Sequence, residues 1–114
     1  MSECLFCGMV DGKINANIVY RDDAIVAFRD INPRAPVHIL IISRKHITGV
    51  LDIEPNDGAL VGHIFQVAAR LARDQGIAES GFRVVVNSGA DAGQTVFHLH
   101  YHLLGGRQMG WPPG

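Results

Sequence analysis

The stretch that decides the fold lies near the end of the chain and reads Val96-Phe97-His98-Leu99-His100-Tyr101-His102-Leu103-Leu104. Three histidines alternate there with aromatic and aliphatic residues, and a period of two predicts a β-strand. On such a strand His98, His100 and His102 share one face, with roughly 6.5 to 7 Å between neighbours, while the apolar residues, Phe97 included, enter the core from the other face. This spacing suits three imidazoles that surround one bound group.

A lone histidine in a strand is usually a tolerated surface or core residue. Three histidines in one register are different, because chance placement favours no face and because neighbouring imidazoles oppose one another's protonation. An expression tag does not explain them either, since tags do not alternate with core residues. The three histidines, here called the triad, are therefore interpreted as part of a functional site.

Length, composition and net charge restrict the number of domains, the class of protein and the partners that are expected. A chain of 114 residues predicts a single domain, residues 1–114, small enough for pairing with a second copy to help bury apolar surface. Hydrophobic residues at 47% and charged residues at 18% are typical of a soluble globular protein. A net charge of -1 without a basic cluster argues against nucleic acid as a partner. Neither a signal peptide nor an apolar run of membrane-spanning length is evident, so we expect a cytoplasmic protein with no membrane partner.

Upstream of the triad, the sequence predicts further strands and two helices. The predicted strands are a hairpin of 18–20 with 24–28, a run at 37–42 apolar enough to be covered on both faces, and a run at 82–87. The predicted helices are a short one within 3–12 and a long one that Asn56 or Asp57 caps and Gly76 ends. We expect the long helix to cover one face of the sheet, with His63 facing solvent.

Two cysteines lie near the start of the chain in Cys4-Leu5-Phe6-Cys7. This spacing lets both thiolates reach one tetrahedral zinc ion, so the pair forms half of a possible metal site. A redox pair would normally sit within a βαβ pattern, which is absent here, and two inert thiols are a third possibility. A disulfide between them is not expected in a reducing compartment.

Three polar residues mark strand ends. Asp30 lies where a strand gives way to a loop, and could accept hydrogen bonds from a sugar diol or could simply initiate a turn. His38 begins an apolar strand and, once buried, needs partners for its ring nitrogens, which the triad face would supply. His46 follows the same strand, and taken alone is an exposed loop histidine.

Two glycine-rich segments flank the triad. The loop Ser88–Thr95 suits close approach of backbone N–H groups to a phosphate, although loops of this composition are also simply turns. The tail Gly105–Gly114 has no regular period and is either loose or docked against a partner subunit through Trp111.

The triad stretch resembles the motif of the histidine triad (HIT) family, in which three histidines alternate with hydrophobic residues. Segments similar to those of the family follow in the same order along nearly the whole chain, at Phe28–Pro33, Pro36–His38, Lys45–Ile47, Val86–Asn87 and Gly93–Thr95. The ending Leu104–Gly114 is similar to that of the nucleotide-binding branch, the purine nucleoside phosphoramidases.

This resemblance implies an α+β, HIT-like fold with a five-stranded antiparallel sheet per subunit, one long helix and a short N-terminal helix. It implies a homodimer, with 105–114 at the dimer interface and active site. The implied activity is hydrolysis of nucleoside phosphoramidates and acyl nucleotides to AMP or GMP through a nucleotidyl-histidine intermediate, with no metal required for catalysis. A dinucleoside polyphosphate hydrolase and a nucleotide-binding regulatory module with little turnover are the alternatives.

The resemblance also implies roles for individual residues. His100 would be the nucleophile, His102 would contact the α-phosphate and His38 would orient His100. The implied nucleotide-binding residues are Phe28, Asp30, Ile31, Asn87, Gly93, Gln94, Thr95 and Trp111. Several bacterial members hold a structural zinc at positions that correspond here to Cys4, Cys7, His46 and His98, although members with a similar tail often lack the cysteines. The implied cofactor is therefore a structural zinc.

Overall fold

The structure is a computed structural model and describes residues 4–114. Its elements are helix α1 (Leu5–Val10), strands β1 (Ile18–Arg21), β2 (Ile25–Arg29) and β3 (Val37–Ser43), helix α2 (Gly58–Asp74), and strands β4 (Phe82–Val85) and β5 (His100–Gly105). The strands form one antiparallel sheet in the order β1-β2-β3-β5-β4. The predicted α+β class, the five-stranded antiparallel sheet and the long and short helices are confirmed.

β3 runs through the middle of the sheet, and all of its residues are buried because both faces are covered. On one face, alternate residues such as Ile39 and Ile41 pack against Ile64, Val67 and Leu71 of α2. These α2 residues recur at helical spacing and form the apolar side of the helix. The long helix therefore covers one face of the sheet, as predicted.

The opposite face of β3 carries the second core cluster, in which Leu40 and Ile42 pack with Phe6 of α1. Residues directly opposite each other on neighbouring strands share a face of the sheet. Ile42 lies opposite His100 and Leu40 lies opposite His102, so the two histidines belong to the face that α1 partly covers. The sheet thus separates the helix-packed core from the face that carries the candidate site.

The predicted strand across the triad is too long, because β5 begins only at His100. Before that point, the N–H of Leu99 donates to the carbonyl of Ile47, at 2.6 Å, outside the regular ladder. Phe97 is 55% exposed rather than buried in the core. The ring centroids of His100 and His102 are 5.2 Å apart, closer than the spacing of an ideal strand suggests.

The start of α2 also differs from the prediction. Asp57 occupies the cap position, but its side chain makes no capping bond to the helix and instead accepts hydrogen bonds from the Glu54 N–H and the Lys45 ammonium. A short 3-10 turn at Pro55–Asp57 precedes the helix. At the other end, Gly76 has a φ of 76°, and this left-handed conformation stops the helix as predicted.

The prediction that His63 faces solvent is incomplete, because its ring also makes a hydrogen bond. Its Nε2 lies 2.6 Å from Oδ2 of Asp22, which also accepts the Tyr20 hydroxyl at 2.7 Å. Hydrogen bonding therefore connects α2 to the turn of the β1–β2 hairpin.

Among residues 4–114, no helix combines the length and apolar character needed to cross a membrane.

Candidate active site and metal centre

A groove of about 300 Å³ opens on the sheet face opposite α2. His100 and His102 form part of its wall. Four of the predicted nucleotide-binding residues also line it, namely Phe28, Asp30, Ile31 and Thr95. Phe28 is buried whereas Ile31 is 91% exposed, so the groove has an apolar wall that a purine base could contact.

His100 is held by the backbone of another triad residue. Its Nδ1 lies 2.7 Å from the carbonyl oxygen of His98, and only an N–H can donate to that oxygen. In the neutral ring, the hydrogen is therefore on Nδ1, and the lone pair is on Nε2. Because His100 lines the groove, this arrangement provides a nitrogen nucleophile there.

His102 has the opposite tautomer, because a short chain of hydrogen bonds fixes it. The N–H of Arg34 donates to Nδ1 of His38 at 3.0 Å, so the hydrogen of the neutral His38 ring must be on Nε2. That Nε2 lies 3.0 Å from Nδ1 of His102 and donates to it. His102 therefore keeps its own hydrogen on Nε2, as a donor beside the lone pair of His100.

Burial favours the neutral form of both His38 and His102. Desolvation lowers the pKa of His102 to about 4, and repulsion from the His100 and His38 imidazoles acts in the same direction. Desolvation also lowers the pKa of His38, although the Asp30 carboxylate opposes this shift. The geometry differs from the implied role of His38 in orienting His100. His38 contacts His102, whereas the His98 carbonyl orients His100.

Asp30 combines the two roles that the sequence left open. Its Oδ1 accepts the N–H of Asn32 at 2.8 Å, which is the hydrogen bond of a turn-initiating aspartate. Its Oδ2 lies 3.5 Å from Nε2 of His38, and the side chain borders the groove with 20% of its surface exposed. The turn therefore places a carboxylate oxygen where a ribose diol could donate to it.

The glycine-rich loop is held together largely by its own groups. The Gln94 side chain is buried, accepts the Gly89 N–H, and donates to the carbonyls of Thr48 and Val96. The backbone N–H groups of Gly93 and Gln94 donate to loop carbonyls. The phosphate contacts implied for Gly93 and Gln94 are thus not available in this conformation, and Thr95 is the exposed loop residue that borders the groove.

A second cavity of about 240 Å³ lies on the other side of His102. Asn87 lines this second cavity rather than the groove, together with Met109 and Pro113 of the tail. Trp111 is 83% exposed and lines neither space, so its implied role in nucleotide binding stays a prediction.

Cys4, Cys7, His46 and His98 converge into one cluster whose candidate ligand atoms all lie within 4.8 Å of one another. Nδ1 of His98 lies 3.4 Å from the Cys4 Sγ and 3.5 Å from the Cys7 Sγ, and Nδ1 of His46 lies 3.2 Å from the Cys7 Sγ. Around a tetrahedral zinc, a sulfur and a nitrogen ligand would be about 3.6 Å apart. The cluster therefore fits a zinc ion with little rearrangement.

The orientation of His98 supports the same interpretation. Its Nε2 donates to the Ser43 carbonyl at 2.6 Å, which leaves the lone pair of the neutral ring on Nδ1 and aimed at the cysteines. Burial lowers the pKa of His98, which favours the neutral form that binds metals. The four residues named by the resemblance are thus brought together. His46 is exposed, as its position in the sequence alone indicates, and still lies within the cluster.

Comparison with known proteins assigns the family. The HIT domain family model matches residues 11–109. This chain belongs to the HIT family. It is 48% identical to an uncharacterized HIT-like protein of Synechocystis over 98% of this chain and 97% of the relative. It is also 44% identical to a 14 kDa zinc-binding protein of Zea mays, over 99% of this chain and 89% of the maize protein.

Solved structures of HIT proteins share this fold closely. A HIT family hydrolase from Legionella pneumophila is 49% identical, with a TM-score of 0.97 over 98% of this chain and 100% of that chain. A zinc-bound histidine triad protein from Mycobacterium smegmatis is 32% identical, with a TM-score of 0.80 over 98% of this chain and 80% of that one. A histidine triad nucleotide-binding protein from Candida albicans is 30% identical, with a TM-score of 0.83 over 96% and 83% of the two chains.

Some of the site could not be identified from residue types. The Arg34 N–H, the Ser43 carbonyl and the His98 carbonyl fix the ring tautomers, but these are backbone groups that every residue carries. Arg83 and Arg107 of the second cavity were also missed. Both are isolated basic residues in the sequence, and only the pairing of β4 with β5 brings Arg83 near the triad.

Proposed function

We propose that this HIT protein hydrolyses the P–N bond of purine nucleoside phosphoramidates, and related acyl nucleotides, with His100 as the nucleophile. The observation that carries the proposal is the pair of opposite tautomers at the groove. His100 provides a lone pair on Nε2, and the adjacent His102 provides an N–H. The Legionella hydrolase supports a hydrolytic activity, and the Candida nucleotide-binding protein supports a nucleotide as substrate.

In the first step, Nε2 of His100 attacks the α-phosphorus, the N–P bond to the ring forms, and the P–N bond of the substrate breaks. The departing nitrogen takes a proton from solvent and leaves as a neutral amine. The Nε2–H of His102 donates to a phosphoryl oxygen and stabilises the charge that develops there. His102 cannot also gain a proton on Nδ1 while His38 donates to that atom.

In the second step, water attacks the phosphorus, the bond to His100 breaks, and the nucleoside monophosphate is released with loss of a proton to solvent. Dividing the displacement into two steps is the general advantage of covalent catalysis. The carbonyl of His98 keeps Nδ1–H of His100 in place in both steps, so Nε2 returns to the unprotonated form for the next turnover.

We also propose that Cys4, Cys7, His46 and His98 hold a structural zinc, a set that leaves no position open for a catalytic water. The zinc would hold α1 against the segments after β3 and before β5. The zinc-binding maize protein and the zinc-bound mycobacterial protein support this site. A homodimer, in which the tail and Trp111 of one subunit complete the site of the other, belongs to the same proposal.

The test is the release of amine and AMP from adenosine 5′-phosphoramidate. His100→Ala should lower kcat/KM by roughly 10³-fold or more, as expected for removal of a nucleophile. Wild type denatured at alkaline pH, where the phosphorus–nitrogen bond to an imidazole survives, should carry the added mass of a nucleotidyl group on the peptide that contains His100. His63→Gln is the matched control, because His63 lies on α2 away from the groove.

Other outcomes would select a different function. Turnover of dinucleoside polyphosphates but not of phosphoramidates would make the protein a polyphosphate hydrolase. Tight AMP binding with no turnover of either substrate would favour a nucleotide-binding regulatory module.

A further inference from the structure

The short helix α1 contributes residues to both the groove and the metal cluster. Leu5, Phe6 and Met9 of this helix line the groove. Cys7 of the same helix, and Cys4 at its N-cap, belong to the four-residue metal cluster described above. One helix therefore carries part of the groove wall together with two of the four candidate metal ligands.

Phe6 lies where the two sites meet. It is the buried residue of α1, with 4% of its surface exposed. Its ring makes edge-to-face contacts with His100, at 5.1 Å between centroids, and with Phe28 of the groove, at 5.4 Å. A third contact, at 6.0 Å, is with the ring of His98, a candidate metal ligand. Edge-to-face packing depends on the relative position of the rings, so a displacement of Phe6 would change all three contacts.

The position of α1 depends on its contacts with the rest of the protein. The helix has six residues, and isolated helices shorter than about 12 residues are marginal in water. One set of contacts is apolar, through Phe6 and Met9 in the second core cluster. Another set involves sulfur, because Sγ of Cys4 and Sγ of Cys7 lie 3.4 and 3.5 Å from Nδ1 of His98. A metal ion bound by both thiolates and both histidines would tie α1 to the segments after β3 and before β5.

These contacts of α1 lie away from the surface assigned to the proposed homodimer. Phe6 packs against residues of β2 and β3, such as Phe28 and Leu40. Among residues 4–114, none from β4 or from the tail 105–114 belongs to the second core cluster or lines the groove. The arrangement of α1 is therefore a property of the single chain.

We propose that zinc in the metal cluster regulates nucleotide affinity by holding α1, and with it Leu5, Phe6 and Met9, against the purine base. This inference rests on the proposed function and concerns the regulation of the same groove. Leu5 is 44% exposed, so a base that covers it removes apolar surface from water. Without the ion, α1 loses its bonds to the two histidine segments, and its side chains no longer form a fixed wall for the base.

The expected effect is specific to the base. Ribose 5-phosphate has the sugar and the phosphate of AMP but no purine, and the residues proposed to bind those groups, Asp30, His100 and His102, are not on α1. Zinc-loaded protein should therefore bind AMP about ten-fold more tightly than zinc-free protein does, which is the effect of burying roughly one apolar side chain. Ribose 5-phosphate should bind equally well to both forms.

The test measures the affinity for zinc, by competition with a chelator, without a ligand, with AMP, and with ribose 5-phosphate. Coupling between two sites is reciprocal, so near-saturating AMP should raise the zinc affinity about ten-fold. Ribose 5-phosphate at the same degree of saturation should leave it unchanged. Equal effects of the two compounds would overturn the inference. This comparison also covers a zinc-free protein that unfolds, since two ligands that bind only the folded chain would then raise the zinc affinity equally.

A matched pair of variants tests whether α1 carries the effect. Leu5→Ala should reduce the coupling between AMP and zinc to about three-fold or less, because the shortened side chain offers less apolar surface to the base. Leu51→Ala is the control and should keep the coupling, since Leu51 is an exposed leucine that belongs to neither the groove nor the metal cluster. Full coupling in Leu5→Ala would overturn the inference.

Two further outcomes separate this inference from the proposed function. A protein that hydrolyses phosphoramidates but takes up no zinc would overturn the inference and leave the hydrolase proposal intact. A zinc-loaded protein that binds neither AMP nor ribose 5-phosphate, and turns over no phosphoramidate, would overturn both.

Discussion

Nδ1 of His100 lies 2.7 Å from the carbonyl oxygen of His98, and the side chain of that same His98 belongs to the Cys4–Cys7–His46–His98 cluster. One residue therefore joins the candidate nucleophile to the candidate metal centre. The side chain of His98 is fixed by the Ser43 carbonyl, and its backbone fixes His100. Loss of the cluster should consequently disturb the nucleophile, even though no step of the proposed reaction is assigned to a metal.

The first prediction concerns this cluster. Cys7→Ser should reduce zinc from one ion per chain to near none and should lower the free energy of unfolding by about 3 kcal/mol or more, because a ligand that binds only the folded state stabilises it. Metal analysis and thermal denaturation with and without a chelator measure both effects. Re-addition of zinc should restore wild type but not the variant. Zinc-free wild type with an unchanged Tm would rule out a structural zinc.

The second prediction concerns the imidazole tautomers. Nitrogen-15 NMR of the histidine rings should show His100 with its hydrogen on Nδ1, and His38 and His102 with theirs on Nε2. Since the pKa of His102 is lowered to about 4, its ring should remain neutral at pH 5 to 6, where an ordinary histidine gains a proton. His38→Ala should leave His102 with mixed tautomers, because Nδ1 loses its donor.

The lowered pKa of His102 also makes the stability of the fold depend on pH. The unfolded chain binds the His102 proton near the ordinary value of 6.5, and the folded chain binds it only near pH 4. Between these values the unfolded state holds more protons, so this group lowers stability as the pH falls from about 6.5 to about 4. His102→Gln, which cannot titrate, should show a weaker loss over that window in chemical denaturation. An equal pH dependence in both proteins would contradict a neutral, buried His102.

The third prediction concerns the hydrogen bonds between the hairpin and α2. Burial opposes ionisation of Asp22, but hydrogen bonds from Tyr20, His63 and two backbone N–H groups outweigh it and hold the pKa of that carboxyl well below its usual range. A lowered carboxyl pKa stabilises the fold above the ordinary value of 3.8, and this contribution is lost as the pH falls below it. Asp22→Asn should reduce the free energy of unfolding by about 1 to 2 kcal/mol at pH 7.

The decisive measurement for that prediction is the difference in stability between Asp22→Asn and wild type as a function of pH. It should shrink below about pH 4, where the wild-type carboxyl also becomes protonated. Asp23→Asn is the control, since Asp23 is an exposed neighbour in the same turn. A constant difference at all pH values would mean that the amide perturbs the turn sterically.

Sequence and structure agree where local pattern and burial point the same way. The apolar run at 37–42 became β3, and the helical repeat through Ile64, Val67 and Leu71 became the covering face of α2. The pattern was misleading at the triad, because alternation around His98 continues after the ladder has ended. There the N–H of Leu99 bonds to Ile47, a contact between segments far apart in the chain that no local period encodes.

The chemistry of the site shows the same limit. Residue types and family resemblance indicated four candidate metal ligands, whose ligand atoms the structure brings within 4.8 Å of one another, and the two histidines His100 and His102, which line the groove. The assignment of His38 to His100 was wrong in its partner, because β3 and β5 pair in a register that places His38 within reach of His102. Register between distant strands depends on the whole sheet and is invisible in either strand alone.

The last prediction tests how tightly β5 ends against the core. A Cβ added at Gly105 would lie 2.5 Å from Cδ1 and 3.0 Å from Cβ of Ile77, which is itself buried. The Cβ of Ile77 is next to the backbone and cannot move away as a flexible tip could. Gly105→Ala should therefore lower the free energy of unfolding by about 1 to 3 kcal/mol, as overpacking of a filled core does. Gly58→Ala at the start of α2 is the control, because nothing lies within 4 Å of its added Cβ, and it should be neutral or slightly stabilising. If urea denaturation showed equal stability for both variants, the tight packing between Gly105 and Ile77 would not be a feature of the folded protein.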